Sequence, residues 1–274
     1  MSKSKKSDKF LKLVGKHQET KKSIKFKGTL GEYLPLLEEN PGITKLAHKR
    51  LYDAITSHGI TRMSTSDTRC NKLFNGEEVR TYDYFQGKFF GMERSLAKIM
   101  RFLRSASLRG EESRQVLLLL GPVGAGKSAL LERIKTALEE CEPMFHIEGC
   151  PIREEPLHLI PRSLRDNFEE IYGIKIEGDL CPVCRHKLKE EYNNDYMSMP
   201  LTQSSFSVRG RRGVGVVPPM DANSQDVTVL VGSEDISKLD LYSEDDPRVL
   251  SLNGAFNVGN RGIAVNEAQV AKRG

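Results

Sequence analysis

Apolar positions recur at helical spacing in two early stretches of the chain. Leu34, Leu37, Ile43, Leu46, Leu51 and Ile55 are interrupted by Asn40-Pro41-Gly42, which predicts two short helices around a turn. Residues Thr56 to Phe85 are polar and weakly periodic and read as a loop or linker. From Glu93 to Ala106, Leu96, Ile99, Met100 and Leu103 fall on one face with basic residues opposite, the pattern of an amphipathic helix. The pattern then changes. Val116 to Leu120 is an unbroken aliphatic run of strand length, followed by a glycine-rich turn and a helical segment from Lys127 to about Cys141. "PMFHIEG" predicts a second strand, "PRSLRDNFEEIYG" a helix after Pro161, and "DVTVLVG" and "GIAV" later strands, while Leu201 to Asp226 is rich in Gly, Arg, Ser and Pro. Strands alternating with helices imply an α/β domain with a mostly parallel sheet, preceded by a small helical segment.

Composition narrows the class. At 274 residues and 38% apolar, the chain can bury a real core. Its longest aliphatic run is too short to cross a bilayer and the start, MSKSKKSDKF, carries no apolar signal core, so a cytoplasmic location without membrane contact is expected. Five cysteines, an odd number spread along the chain, suit reduced thiols better than disulfides. The net charge of +5 is concentrated at the start, where ten lysines in residues 1–27 face only Asp8 and Glu19, so the remaining chain is slightly acidic. Such an arm reads as solvated and mobile. Nucleic-acid contact, through the arm and the arginines of "SVRGRRGVG", is the alternative, and the acidic remainder counts against it.

One motif carries chemistry. Gly121, Pro122, Val123, Gly124, Ala125, Gly126, Lys127 and Ser128 fit G-x-x-x-x-G-K-S/T, with an aliphatic run before and a helix, beginning with Ala129 in its first turn, after. Glycines allow the tight turn that aims successive N–H groups at phosphate oxygens, and the helix adds the positive end of its dipole. Lys127 is placed to reach the β- and γ-phosphates of ATP and Ser128 to ligate Mg2+. Other candidates are thinner. Cys181-Pro-Val-Cys184 is half of a zinc site, with His186 two residues on and no second cluster in the sequence, and otherwise reads as a turn with two ordinary cysteines. Arg209, Arg211 and Arg212 read as a mobile loop, with phosphate or subunit contact as the alternative. His146 and His158 read as packing or surface residues.

"FFGMERSLAKIMRFLRSAS", "LLLLGPVGAGKSALLERIK", "GDLCPVCRHKL", "MPLTQSSFSVRGRRGVGVVPPMDANSQDVTVLVGSEDISKL" and "LNGAFNVGNRGI" together resemble, in that order, the amino-terminal half of the bacterial PrkA family of serine protein kinases. The resemblance runs from about Leu30 to Ile263. It implies an AAA-type P-loop ATPase domain, with Gly91 and Met92 of Phe90–Glu93 in the adenine pocket and a Walker B strand after "NVGNRGI". The residues there are Ile-Ala-Val-Asn-Glu, so Asn266 stands where an aspartate is common and Glu267 is the candidate for Mg2+ or water activation. The implied organisation is an arm (1–29), a helical segment and linker (30–85) and an AAA-type domain (86–274) that ends before its sensor, arginine-finger and lid elements. A protein substrate and homo-oligomerisation of the complete protein are implied likewise, with weak activity for this chain alone.

Overall fold

The computed structural model describes residues 7–8, 10–14, 26–63, 68, 79–122, 124–217, 227–243 and 246–266. Most of the lysine-rich arm, Cys70, Val123 and Glu267 lie outside them. In chain order the elements are β1 (Lys27–Gly28), α1 (Leu30–Glu39), α2 (Ala47–Thr56), β2 (Ile60–Met63), β3 (Val79–Tyr82), α3 (Glu93–Ser107) and α4 (Lys127–Glu139). There follow β4 (Met144–Ile147), α5 (Arg165–Tyr172), α6 (Pro182–Glu190), β5 (Leu201–Ser204), β6 (Val214–Val217), α7 (Thr228–Val231), β7 (Ser233–Glu234), β8 (Leu250–Ser251), α8 (Ala255–Val258) and β9 (Ile263–Asn266). No helix among the described residues is long and apolar enough to cross a membrane.

The chain folds into two compact units, each assembled from separate stretches. One gathers residues up to Ile43, Pro143–Ser204 and Ser237–Val249; the other gathers Thr44–Glu142, Ser205–Ile236 and the residues from Leu250 on.

The first unit is built on a three-stranded sheet in the order β1-β5-β4, antiparallel throughout. Above it, α1 starts at a capping box in which the Thr29 backbone N–H donates to the Glu32 carboxylate at 2.8 Å. The apolar face of α1, Leu30, Tyr33 and Leu37, packs with Phe145, Ile147, Leu157 and Leu201. Tyr33 keeps its hydroxyl satisfied by donating to Glu155 at 2.8 Å.

In the second unit α2 and α3 pack together, burying Leu51 and Ile55 against the stripe of Leu96, Ile99, Met100 and Leu103, the residues expected from helical spacing. The stretch read as a linker contains the antiparallel hairpin β2–β3 and a short helical turn at Asp83–Phe85. β3 is buried at Val79 and Tyr82 and exposed at Arg80, a four-residue pattern without the period-two alternation that would stand out from a polar background. β6 and β9 pair in parallel, with Val214 opposite Ile263 and Val217 opposite Asn266.

Four expectations change. Val116–Leu120 forms no ladder among the described residues, and Val116, Leu118 and Leu120 are 91%, 70% and 72% exposed. A central strand is made by neighbours on both sides, and β6–β9 is the one parallel pair among the described residues, so a mostly parallel sheet is not what they show. "DVTVLVG" is helical at Thr228–Val231 despite its β-branched side chains. Gly232, at φ +93°, ends that turn with its N–H donating to Thr228 O, and a Cβ there would run into the Ser251 carbonyl. The arginine loop is a closed turn: Ser207 and Arg212 bridge, Arg212 Nε donates to Ser205 O at 2.9 Å, and Val208 N–H donates to Glu139 at 2.7 Å.

Candidate nucleotide site

The site is set by how α4 begins. Gly124 and Gly126 adopt φ of +82° and +77°, left-handed values that disfavour any side chain, and Gly126 is the residue before the first helical turn. From there Leu130 N–H bonds back to Gly126 O at 2.9 Å and the helix proceeds. The first-turn N–H groups of α4 have no partner within the helix and point back over the loop. Lys127 curls into the same space, its ammonium donating to Gly121 O at 2.7 Å and Pro122 O at 2.8 Å. A cation therefore sits inside the loop beside unpaired amide donors, a combination that attracts an anion. Ser128 and Ala129 stand exposed on the first turn, leaving the Ser128 hydroxyl open to solvent.

The segment expected at the base pocket is next to the loop. Gly91 turns at φ +73°, and Met92 lies so close that a Cβ on Gly126 would be 3.2 Å from its Sδ. Glu93, the next residue, lines a cavity of about 580 Å³ with Tyr82, Phe85, Phe89, Phe90 and Leu96. One oxygen of Glu93 is buried there with no hydrogen-bond partner. Sequence patterning did not reveal the contribution of Tyr82 and Phe85 to this wall, because they come from the segment read as a linker. Glu267 lies outside the described residues, but β9, which runs up to it, does not: Gly262 at its start abuts Gly213 O and Leu138 of α4.

α4 is held at its middle, by Arg133. Arg133 stacks 3.7 Å over the Tyr84 ring and donates to Tyr84 O from Nε (3.3 Å) and Nη2 (3.1 Å), while the Tyr84 hydroxyl returns a bond to Arg133 O at 3.0 Å. Burial pushes the Tyr84 phenol up to about 12, so it stays a neutral donor. Arg133→Ala removes the stacking and both side-chain donors at once and should cost about 2 kcal/mol. In a thermal melt this reads as a midpoint lowered by roughly 4–8 °C; an unchanged midpoint would show that the clamp does not hold α4.

A loop of left-handed glycines carrying a seated lysine into a helix N-terminus defines a P-loop nucleotide-binding domain. The chain belongs to the PrkA AAA domain family, whose model matches residues 28–269. It is similar to a protein of Bacillus subtilis (strain 168) named ATP-dependent protease PrkA, 36% identical over 260 residues that make up 92% of this chain and 39% of that one. It is also similar to the serine/threonine kinase YeaG of Escherichia coli (strain K12), 31% identical over 242 residues, 86% of this chain and 37% of that one. The chain thus spans about two fifths of the length of these relatives. No solved structure matches it significantly.

Proposed function

We propose that this chain is the ATP-binding AAA domain of a PrkA-like protein, taking Mg-ATP at Gly121–Ala129 and, within the complete protein, hydrolysing it or passing its γ-phosphoryl group to a protein substrate. The observation that carries this reading is the Lys127 ammonium held within a loop whose two glycines are already left-handed. The cradle is formed in advance, and a phosphate has only to replace two neutral carbonyls as partners of the lysine with far stronger, charged acceptors. Ser128, exposed one residue further, fits a hydroxyl ligand for Mg2+, which supplies charge neutralisation at the phosphates when bound. Glu267, following β9, remains the candidate for a second Mg2+ contact or for orienting water. The cavity beside Met92 suits a purine, offering aromatic walls for its faces.

One relative is named for proteolysis and the other for phosphorylation. ATP use is common to both readings. The fate of the phosphoryl group divides them, and P-loop domains most often transfer it to water. Catalysis in such sites relies on positive charge around the γ-phosphate that a neighbouring subunit often supplies, so the chain alone should bind ATP better than it turns it over.

The test is calorimetric titration with ATP, with and without Mg2+, alongside phosphate release and label transfer to protein across a range of chain concentrations. Magnesium-dependent binding with slow release that rises with concentration is expected. Failure to bind ATP, or equal affinity for adenosine without phosphates, would remove the proposal.

A further inference from the structure

The first unit contains a second constellation that the nucleotide site does not use. Cys150 sits in the turn after β4, where its N–H donates to Ile147 O at 3.2 Å. Glu154 follows one turn later. Cys181 caps the N-terminus of α6 and Cys184 lies in that helix's first turn. One ligand atom from each of the four, three sulfurs and a carboxylate oxygen, lies within 4.8 Å of all the others. All four side chains are buried, Glu154 completely. The half-site seen in the sequence is completed by Cys150 and Glu154, which lie about thirty residues upstream and carry no local spacing signal. The second cluster that the sequence did not show is therefore present in the fold.

Two further features point to a cation between them. The first is hydrogen bonding to sulfur. Cys184 N–H donates to Cys181 Sγ at 3.3 Å, and Glu154 N–H donates to Cys150 Sγ at 3.4 Å. Backbone donors aimed at sulfur favour the thiolate, as does the N-terminal end of α6. The second is the Glu154 carboxylate. Among the described residues no lysine or arginine reaches it; its neighbours are the Cys181 N–H, donating at 2.8 Å, the Cys150 sulfur at 3.5 Å and His158, whose Nδ1 is 3.5 Å away. His158 Nε2 is committed to Glu177 O at 2.8 Å, which fixes the ring with Nδ1 buried beside the carboxylate. Buried carboxylates are paired or bind metal, because leaving one uncompensated costs several kcal/mol.

We propose that Cys150, Cys181 and Cys184, with Glu154 as fourth ligand, form a structural zinc site. A tetrahedral zinc with bonds of about 2.3 Å to sulfur sets the sulfurs about 3.8 Å apart, so the side chains need to close by only about 1 Å. Three soft thiolates and a closed, solvent-free shell select zinc over magnesium or calcium, which take oxygen ligands in larger number. His158, its ring fixed by Glu177 O, packs beside the carboxylate from outside. The ion would tie the turn after β4 to the start of α6, closing the stretch that contains α5 in a unit whose sheet has three short strands.

The test is elemental analysis of the purified chain, grown with zinc and without added chelator. One zinc per chain is expected, retained by Lys127→Ala and by Cys141→Ser, whose sulfur lies in the other unit, and lost in Cys150→Ser and Cys184→Ser. Glu154→Gln should weaken zinc retention against a competing chelator by at least the roughly 10-fold typical of lost outer-shell partners; unchanged retention would remove Glu154 as a ligand. Should the cysteine variants not fold, cobalt substitution of the unaltered chain decides: sulfur-to-cobalt charge-transfer bands with tetrahedral ligand-field intensity support the site. Zinc far below one per chain, with thiols that react freely or a disulfide between any two of the three cysteines, overturns it.

Discussion

Lys127→Ala is expected to abolish measurable Mg-ATP binding while leaving the thermal midpoint unchanged. The lysine makes two bonds in the structure, both to loop carbonyls, at Gly121 and Pro122, and neither joins one element of the core to another. Exchanged for phosphate oxygens they become bonds between full charges, at about 1.5–3 kcal/mol each. Losing both weakens binding roughly 100- to 20,000-fold. Lys127→Arg keeps the charge but replaces a compact ammonium with a wide planar fork, so it should recover only part of the affinity. Titration of the three proteins side by side decides the matter, and native affinity in the alanine variant would mean that the loop is not where the phosphates go.

The second large effect is expected at Gly262. A Cβ there would fall 1.8 Å from the Gly213 carbonyl oxygen and 2.9 Å from Leu138 Cδ2 of α4. The obstruction is mainly backbone, and that backbone is already engaged, since Ile263 N–H donates to Gly213 O at 2.9 Å. Gly262→Ala therefore cannot be absorbed by a rotamer change, and β9 must shift against β6 or lose its first pairing. The cost should reach about 3 kcal/mol, the upper end of overpacking, and lower the melting midpoint by roughly 6–12 °C. Gly31→Ala is the control: in α1, with Met197 Cε 3.6 Å from its added Cβ, it should be neutral or slightly stabilising. Similar melts for the two variants would contradict the close approach of β9 to Gly213.

Where a structural feature is encoded within one turn of chain, it was legible from the residues. The α3 stripe of Leu96, Ile99, Met100 and Leu103 and the glycines of Gly121–Ser128 are of that kind, because spacing and backbone freedom are local properties. β5 and β6 were not foreseen, since a four-residue strand owes its existence to a partner far away in sequence: Leu201 is paired with Ile147, and Val214 with Ile263. The same limit explains the converse error at Val116–Leu120, whose side chains suit a strand but which finds no ladder among the described residues. It also explains the thiol cluster, where Cys150 is near Cys181 only because β4 and α6 belong to one interleaved unit. Strand propensity lost to local geometry at Thr228–Val231 in the opposite sense: residues suited to a strand form a helical turn that ends at Gly232.

The glycine loop has unequal supports. On the α4 side it continues into a helix clamped by Arg133 and Tyr84; on the other it continues into an aliphatic run with Val116, Leu118 and Leu120 exposed and no ladder among the described residues. Mechanically this is a cantilever, with its stiffness all at one end. A phosphate drawing the loop closed would therefore pull on Val116–Leu120 more easily than on the helix, so a change in the exposure of those side chains is where an occupied site should be read.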